Sequence, residues 1–329
     1  MIPIEIGLVN NMPDSALLAT ERQFRRLLED AAEACGNGVK IRLSLFALPD
    51  VPRSEKGNRH IEGQYSNIKE LWNSPLDGLI VTGAEPLAAN LKDEPYWSSL
   101  ARLVDWADRN TYSTVWSCLA AHAAMQHIEG IERRPLGDKM FGVYEFAKHS
   151  EHFLTAGIAS QINVPHSRWN DVSRGALEAC GYQVLTQSED AGADTFVRPD
   201  GASRNRSLFV FFQGHPEYES NSLLLEYRRD IQRFLQQQRD VYPLMPQGYF
   251  ADSVVRQLNA FKGRAISDRR EESLADFSLT DLAANVRTSW RATAIGVYGN
   301  WLRHLCSQKE LRLKAQTRPG SEAIPTSAL

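Results

Sequence analysis

Within the first 130 residues, short apolar runs alternate with segments whose apolar residues recur at helical spacing. No other feature of the chain limits its fold as much. The runs are "IEIGLVNN", "VKIRLSLFAL", "LDGLIVTGA" and "STVWSC". The third is continuously apolar in its middle, which suits a strand covered on both faces. Between the first two lies "TERQFRRLLEDAAEACG", with Phe24, Leu27, Leu28 and Ala31 at i, i+3, i+4 and i+7. Thr20 and Gln23 read as a capping box at its start, and Gly36 as its terminator. "YWSSLARLVDWADRN" and "LAAHAAMQHI" are the next helical patterns. Strand-helix-strand order of this kind predicts an α/β fold, a mostly parallel sheet flanked by helices.

From about residue 141 the pattern changes. "FGVYEF", "GYQVLTQS", "DTFVRPDG" and "SLFVFFQG" read as strands, with "PDGASRNRS" as a hairpin connection. "NSLLLEYRRDIQRFLQQQ" follows as a helix, striped by Leu224, Tyr227, Ile231, Phe234 and Leu235, and "YPLMPQGYF" breaks it. Residues 251–305 read as further helix, including the solvated face "SDRREESLADF". The expected organisation is an α/β domain over 1–240, a helical C-terminal extension over 241–308 packed on the core, and a flexible tail over 309–329.

Composition removes several classes of partner. A net charge of −3 gives no reason to expect nucleic acid or an anionic membrane. No apolar run reaches the roughly eighteen residues of a membrane helix. The start "MIPIEIGLVNN" enters a strand pattern directly, without the basic start and cleavage site of a signal peptide, so the cytoplasm is expected. Cys35, Cys118, Cys180 and Cys306 are far apart and form no C-x-x-C pair, which points to no metal site and no disulfide framework.

In an open α/β sheet, function gathers at the carboxyl ends of the strands. "VTGAEP", "WSCLAA" and "FQGHPEYE" should converge there. Cys118 stands between a strand and a helix. It reads either as a packed core thiol or as a nucleophile raised on a sharp turn, where a helix N-terminus favours the thiolate. Ala120 and Ala121 let that helix pack closely, although the glycines that usually flank such an elbow are absent. His215 is able to take the thiol proton, and Glu217, two residues on in an extended segment, to orient the imidazole. The plainer alternative is a histidine closing a turn before Pro216, with Glu217 opening the next helix.

The segments "VTGAEP", "PYW", "WSCLAAHAA", "DKMFGVYEF", "PHSRWND", "GHPEYE" and "EYRRD", in that order, resemble the homoserine O-acyltransferases of the homoserine O-succinyltransferase family. The resemblance runs from "NNMPDS" to "GNWL", nearly the whole chain. It implies a class I glutamine amidotransferase-like fold. It also implies that Cys118 carries an acyl-thioester, that His215 is the general base and that Glu217 is its carboxylate partner. Lys139, Ser167 and Arg229 match residues that contact the amino-acid substrate. An arginine fork suits an α-carboxylate, and a hydroxyl reads an amine or alcohol. Without the resemblance, Lys139 reads as a surface side chain and Arg229 as the solvent face of its helix.

The implied chemistry is ping-pong: the Cys118 thiolate takes the acyl group from an acyl-CoA, and His215 then deprotonates an acceptor hydroxyl. Backbone N–H groups of Leu119 and of the Gly83–Ala84 turn would hold the oxyanion. Acyl-CoA enters as cosubstrate with no resident cofactor, the substrates are small molecules, and a homodimer is expected. Several positions depart from the family. His122 replaces a glutamine, Trp169 replaces a tyrosine, and Asp14 and Ser15 stand where lysine commonly follows "MP". His122 reads as a core histidine or as a second titrating group near the thiol. The position associated with acyl choice is Leu87 or Ala88, with Glu85 close by, and a non-glutamate there favours succinyl over acetyl. Two other readings stay open at this point. One is a glutamine amidotransferase-like hydrolase, against which "SCLAAHA" lacks the glycine-rich elbow; the other is a non-catalytic binding protein on the same fold.

Overall fold

The structure is a computed structural model that describes residues 3–36, 39–198 and 206–317. In chain order the first half comprises β1 (Ile4–Val9), α1 (Asp14–Ala34), β2 (Ile41–Phe46), α2 (Glu55–Gln64), α3 (Ile68–Leu71), β3 (Gly78–Thr82), α4 (Trp97–Asn110), β4 (Ser113–Ser117) and α5 (Leu119–Glu129). Then follow β5 (Arg134–Lys148), β6 (Gln161–Asp171), α6 (Arg174–Ala179), β7 (Gln183–Val184), β8 (Thr186–Ser188), β9 (Gly192–Ala193), β10 (Thr195–Val197) and β11 (Leu208–Phe212). The chain closes with α7 (Ser222–Leu235), α8 (Asp252–Ser267), α9 (Leu279–Ala283) and α10 (Arg291–Thr317).

Seven strands form the main sheet in the order β2-β1-β3-β4-β11-β10-β7. The first five are parallel, and β10 and β7 add an antiparallel edge. Both faces are covered, as the apolar runs require. On β3, Leu79 and Val81 face the cluster that holds α4 and α5, whereas Ile80 faces α1 and α10. On β4, Trp116 and Val115 divide in the same way, and on β11 so do Phe209 and Phe211 against Val210 and Phe212. Strand side chains alternate between faces, so an unbroken apolar strand needs helices on both. The expected α/β architecture, a mostly parallel sheet flanked by helices with a helical C-terminal part, is therefore met.

Two readings of the sequence change. Helix α1 begins at Asp14, with Pro13 as N-cap, rather than at Thr20. Thr20 and Gln23 are buried inside it, so they form no capping box. Ala16, Leu17, Leu18 and Ala19 are good helix formers whose apolar positions merge into the later stripe, which hid the true start. Gly36 does follow the helix, at φ +84°. A second, four-stranded sheet (β6-β5-β8-β9) is built on the long antiparallel β5–β6 pair, and β6 was not recognised from its sequence. β10 and β11 pair antiparallel, as a hairpin across "PDGASRNRS" requires; residues 199–205 of that connection lie outside the described residues.

Helix α10 contributes Tyr298, Trp301, Leu302 and Leu305 to the core against α1 and the sheet. The Trp301 indole N–H donates to Ser113 Oγ at 2.9 Å, at the start of β4. α10 continues past residue 308 to Thr317, and residues 318–329 lie outside the described residues. α7, α8 and α9 share a separate cluster with Phe141 and Val143 of β5. No helix among the described residues is long and apolar enough to cross a membrane.

Candidate active site

The register of the central strands sets Thr82, Ser117 and Phe212 side by side at the carboxyl edge. The residues that follow them, Gly83, Cys118 and Gln213, therefore start from one line. Cys118 links β4 to α5 with φ +50° and ψ −109°, a backbone region that residues other than glycine rarely occupy. Such strain costs about 1–3 kcal/mol and persists where the surroundings fix it. Here the Cys118 N–H donates to Phe212 O at 2.7 Å, and α5 packs beneath on Ala120 and Ala121, both fully buried. Gly83 presses on the turn from the neighbouring strand: a Cβ there would lie 2.2 Å from Leu119 Cβ. The room that flanking glycines give other elbows comes in this chain from the adjacent loop. Leu119 is the first helical residue, so its N–H is one of those a helix leaves without an intrahelical partner.

His215 lies on a turn rather than in an extended segment. The Tyr218 N–H donates to His215 O at 3.1 Å across Pro216 and Glu217, with proline at the position a β-turn favours. The His215 N–H donates to Pro165 O at 2.8 Å, which ties the turn to β6. Gly214 is needed behind it, because a Cβ there would meet Val164, Asp194 and His166 at 2.7–2.8 Å. His215 Nδ1 and Glu217 Oε1 are 2.8 Å apart, and the Cys118 thiol is within hydrogen-bonding reach of the imidazole. Burial would lower the pKa of His215, but the charges of Cys118 and Glu217 and hydrogen bonds to both outweigh it and hold the imidazole well above its ordinary value. All three side chains are buried. The C-terminal part fastens this turn: the Trp290 indole N–H donates to Tyr218 O at 2.9 Å, and Tyr249 Oη donates to Ser220 O. Burial first, then the nearby Glu217 carboxylate, hold the Tyr298 phenol of α10 well above its usual range.

Lys139, Ser167 and Arg229 come together around two carboxylates of α7 that the sequence reading did not single out. Ser167 Oγ donates to Glu226 Oε2 at 2.6 Å, and Lys139 Nζ lies 3.5 Å from the same oxygen and 3.7 Å from Asp230 Oδ2. Arg229 reaches Asp230 Oδ1 at 3.2 Å through both Nε and one terminal nitrogen. Lys139 is largely buried over the Phe141 ring, not a surface side chain. Tyr218 joins this group to the histidine: its ring stacks on His215 at 4.3 Å and 15°, and its hydroxyl donates to Glu226. Glu226, Arg229, Asp230 and Arg233 recur at i, i+3, i+4 and i+7, so a polar helical stripe in "EYRRDIQR" was available as a signal.

His122 is a core histidine. It is fully buried, shares a 3.0 Å hydrogen bond with Gln213 Oε1, and burial pulls its pKa down to about 4. Trp169 is exposed on β6, and Leu87 is exposed on the loop after β3. Asp14 Oδ2 accepts the Ser54 N–H at 2.8 Å. Glu85 is exposed; the carboxylate folded into its loop is Glu94, which accepts the Ala88 N–H and is almost fully buried. His166 and Asp194, missed in the sequence, form a fully buried pair behind Gly214. No group of three or more His, Cys, Asp or Glu able to hold a metal ion occurs among the described residues.

A profile of the family described as homoserine O-succinyltransferase matches residues 1–312. The chain belongs to that family. A homoserine O-succinyltransferase of Methylorubrum extorquens is 47% identical over 299 residues, which are 91% of this chain and 86% of the relative. Another, from Rhodopseudomonas palustris, is 47% identical over 306 residues, covering 93% and 89%. The homoserine O-succinyltransferase match includes every segment that builds the site, from Gly83 to Trp290. Among solved structures, a glutamine amidotransferase from Methylobacillus flagellatus covers 92% of this chain and 94% of its own at 15% identity and a TM-score of 0.49, a likeness too slight to carry weight.

Proposed function

We propose that this chain is an acyl-CoA-dependent O-acyltransferase that acylates the side-chain hydroxyl of homoserine or a related amino acid through a Cys118 acyl-enzyme. Within this family, the observation that carries the reading is the line of Cys118, His215 and Glu217 at the strained turn. The thiolate attacks the thioester carbonyl, the tetrahedral oxyanion collapses, and the CoA thiolate leaves with the proton held by His215. The N–H groups of Leu119 and the Gly83–Ala84 turn are the proposed oxyanion donors. Glu217 acts through the imidazole, as a positioning residue that fixes Nδ1 and leaves Nε2 for the reacting atoms.

The shift on His215 suits the second half of the cycle. Cys118 leads the influences that raise its pKa, and acylation removes that thiolate charge. The imidazole of the acyl-enzyme is then easier to deprotonate when the acceptor hydroxyl arrives. The hydroxyl gives its proton to His215, its oxygen attacks the thioester, and the Cys118 thiolate is released. Lys139, Ser167 and Arg229 are the proposed amino-acid contacts, and a position 87–88 without glutamate favours succinyl as the acyl group. Burial of the triad limits hydrolysis of the intermediate.

The test is release of free CoA thiol on mixing enzyme with succinyl-CoA and no acceptor. A burst of one equivalent per active site, followed by steady turnover only when homoserine is added, supports the scheme. Release that requires both substrates together would sink it.

A further inference from the structure

A site for a zwitterionic amino acid needs a cationic receptor and an anionic one. The residues expected to touch the substrate supply only the first, since Lys139 and Arg229 are cations and Ser167 is neutral. Two carboxylates adjoin them, and their surroundings differ. Asp230 is already ringed by cations: Arg229 at 3.2 Å, Lys139 at 3.7 Å, Arg239 at 3.8 Å and Arg233 at 4.0 Å. Glu226 has one cation within 4 Å, Lys139 at 3.5 Å, feels the charge of Arg229 from farther off, and meets two neutral hydroxyls, those of Ser167 and Tyr218. The two hydroxyls use two of roughly four lone-pair positions on a carboxylate. Glu226 therefore keeps both unspent charge and acceptor capacity, and through Tyr218 it is one stacked ring away from His215.

We propose that Glu226 is the receptor for the substrate's α-ammonium group and so sets the requirement for an amino acid rather than a simple hydroxy acid. This rests on the reading that Lys139, Ser167 and Arg229 bind the acceptor. With the α-carboxylate on the arginine and lysine and the ammonium on Glu226, the substrate is held at two points. A third direction, along Tyr218, is then left for its hydroxyl to reach His215. Ser167 and Tyr218 keep the Glu226 carboxylate in one orientation, so little is reorganised on binding.

The test compares homoserine with 4-hydroxybutanoate, which lacks only the amine, as acceptors for pre-formed acyl-enzyme. A site built around a substrate donor rejects the analogue lacking it strongly, so wild type should prefer homoserine by at least about a thousandfold. Glu226→Gln keeps the shape and an acceptor oxygen for one of the two hydroxyls, which donate to different carboxylate oxygens, and removes the charge. Its preference should fall at least about thirtyfold, the loss falling on the kcat/KM for homoserine. A Glu226→Gln enzyme that discharges with the wild-type preference overturns the proposal. If Glu226→Gln fails to fold, Glu226→Asp carries the same test, since it keeps the charge but withdraws it by one methylene; a partial fall in preference supports the proposal and an unchanged ratio overturns it. Failure of wild type to form any acyl-enzyme sinks the acyltransferase reading instead, so the two failures are separable.

Discussion

Replacing Gly83 by alanine isolates the strained turn from the rest of the site. The new Cβ would lie 2.2 Å from Leu119 Cβ, 2.7 Å from Ala120 N and 2.8 Å from Leu119 C. Two of those three atoms are backbone at the start of α5, so no rotamer change relieves the clash. Carbon atoms rest about 3.5–4.0 Å apart, so the loop and the helix start must separate by about 1.5 Å. Overpacking of this kind costs about 1–3 kcal/mol. The larger effect is on rate: a misplacement of about 1 Å in a reacting group costs roughly a hundredfold. The assay is the single-turnover rate of CoA thiol release, with urea unfolding in parallel. The control is Gly63→Ala in α2, where nothing lies within 4 Å of the added methyl. That change should leave the rate alone and stabilise by about 0.5–1 kcal/mol. A Gly83→Ala enzyme that acylates within a few-fold of wild type would refute the argument that Gly83 sets the elbow.

Three further outcomes follow from the site. Trp290→Phe removes the donor to the part-buried Tyr218 O; unfolding should show a loss of about 0.5–1.5 kcal/mol, with a slower acceptor step. For His215, whose folded pKa is raised, stability is fully present below an unfolded value of about 6.5 and is lost as pH rises through the folded pKa. Glu217→Gln should shift that loss to lower pH, and an imidazole titration followed by NMR should show the pKa falling. His122 has the opposite sign: with its pKa near 4, it stabilises above about 6.5, and about 3 kcal/mol is lost as pH falls toward 4. His122→Gln should flatten that acid window in urea unfolding.

The sheet was legible because its central strands are unbroken apolar runs, and only a doubly covered strand can afford Leu79, Ile80 and Val81 in succession. Cys118 was legible because it directly follows such a strand, and His215 and Glu217 because they lie in the turn just beyond β11. The start of α1 was not, since residues 14–19 carry no stop signal and Pro13 serves as N-cap without a side-chain hydrogen bond. β6 was missed because "QINVPHSRWND" buries His166 and Arg168, polar residues that break the apolar pattern of a buried strand; Arg168 is satisfied by His166, Asn170 and Asp171 nearby and by Ala191 O at 2.7 Å. Glu226 and Tyr218 escaped for another reason. Their meaning lies in what β5 and β6 bring to α7, and local pattern does not encode that convergence. The support for the elbow was equally invisible: Gly83 acts on Leu119 across strands, 36 residues away in sequence.

The most direct test of the central claim is the intact mass of the protein after brief exposure to succinyl-CoA, beside Cys118→Ala, followed by addition of homoserine. The account predicts a gain of one succinyl group in wild type only, lost again when homoserine is added. A wild-type mass that never changes while the protein is folded and product accumulates, or an adduct that persists in Cys118→Ala, would contradict it.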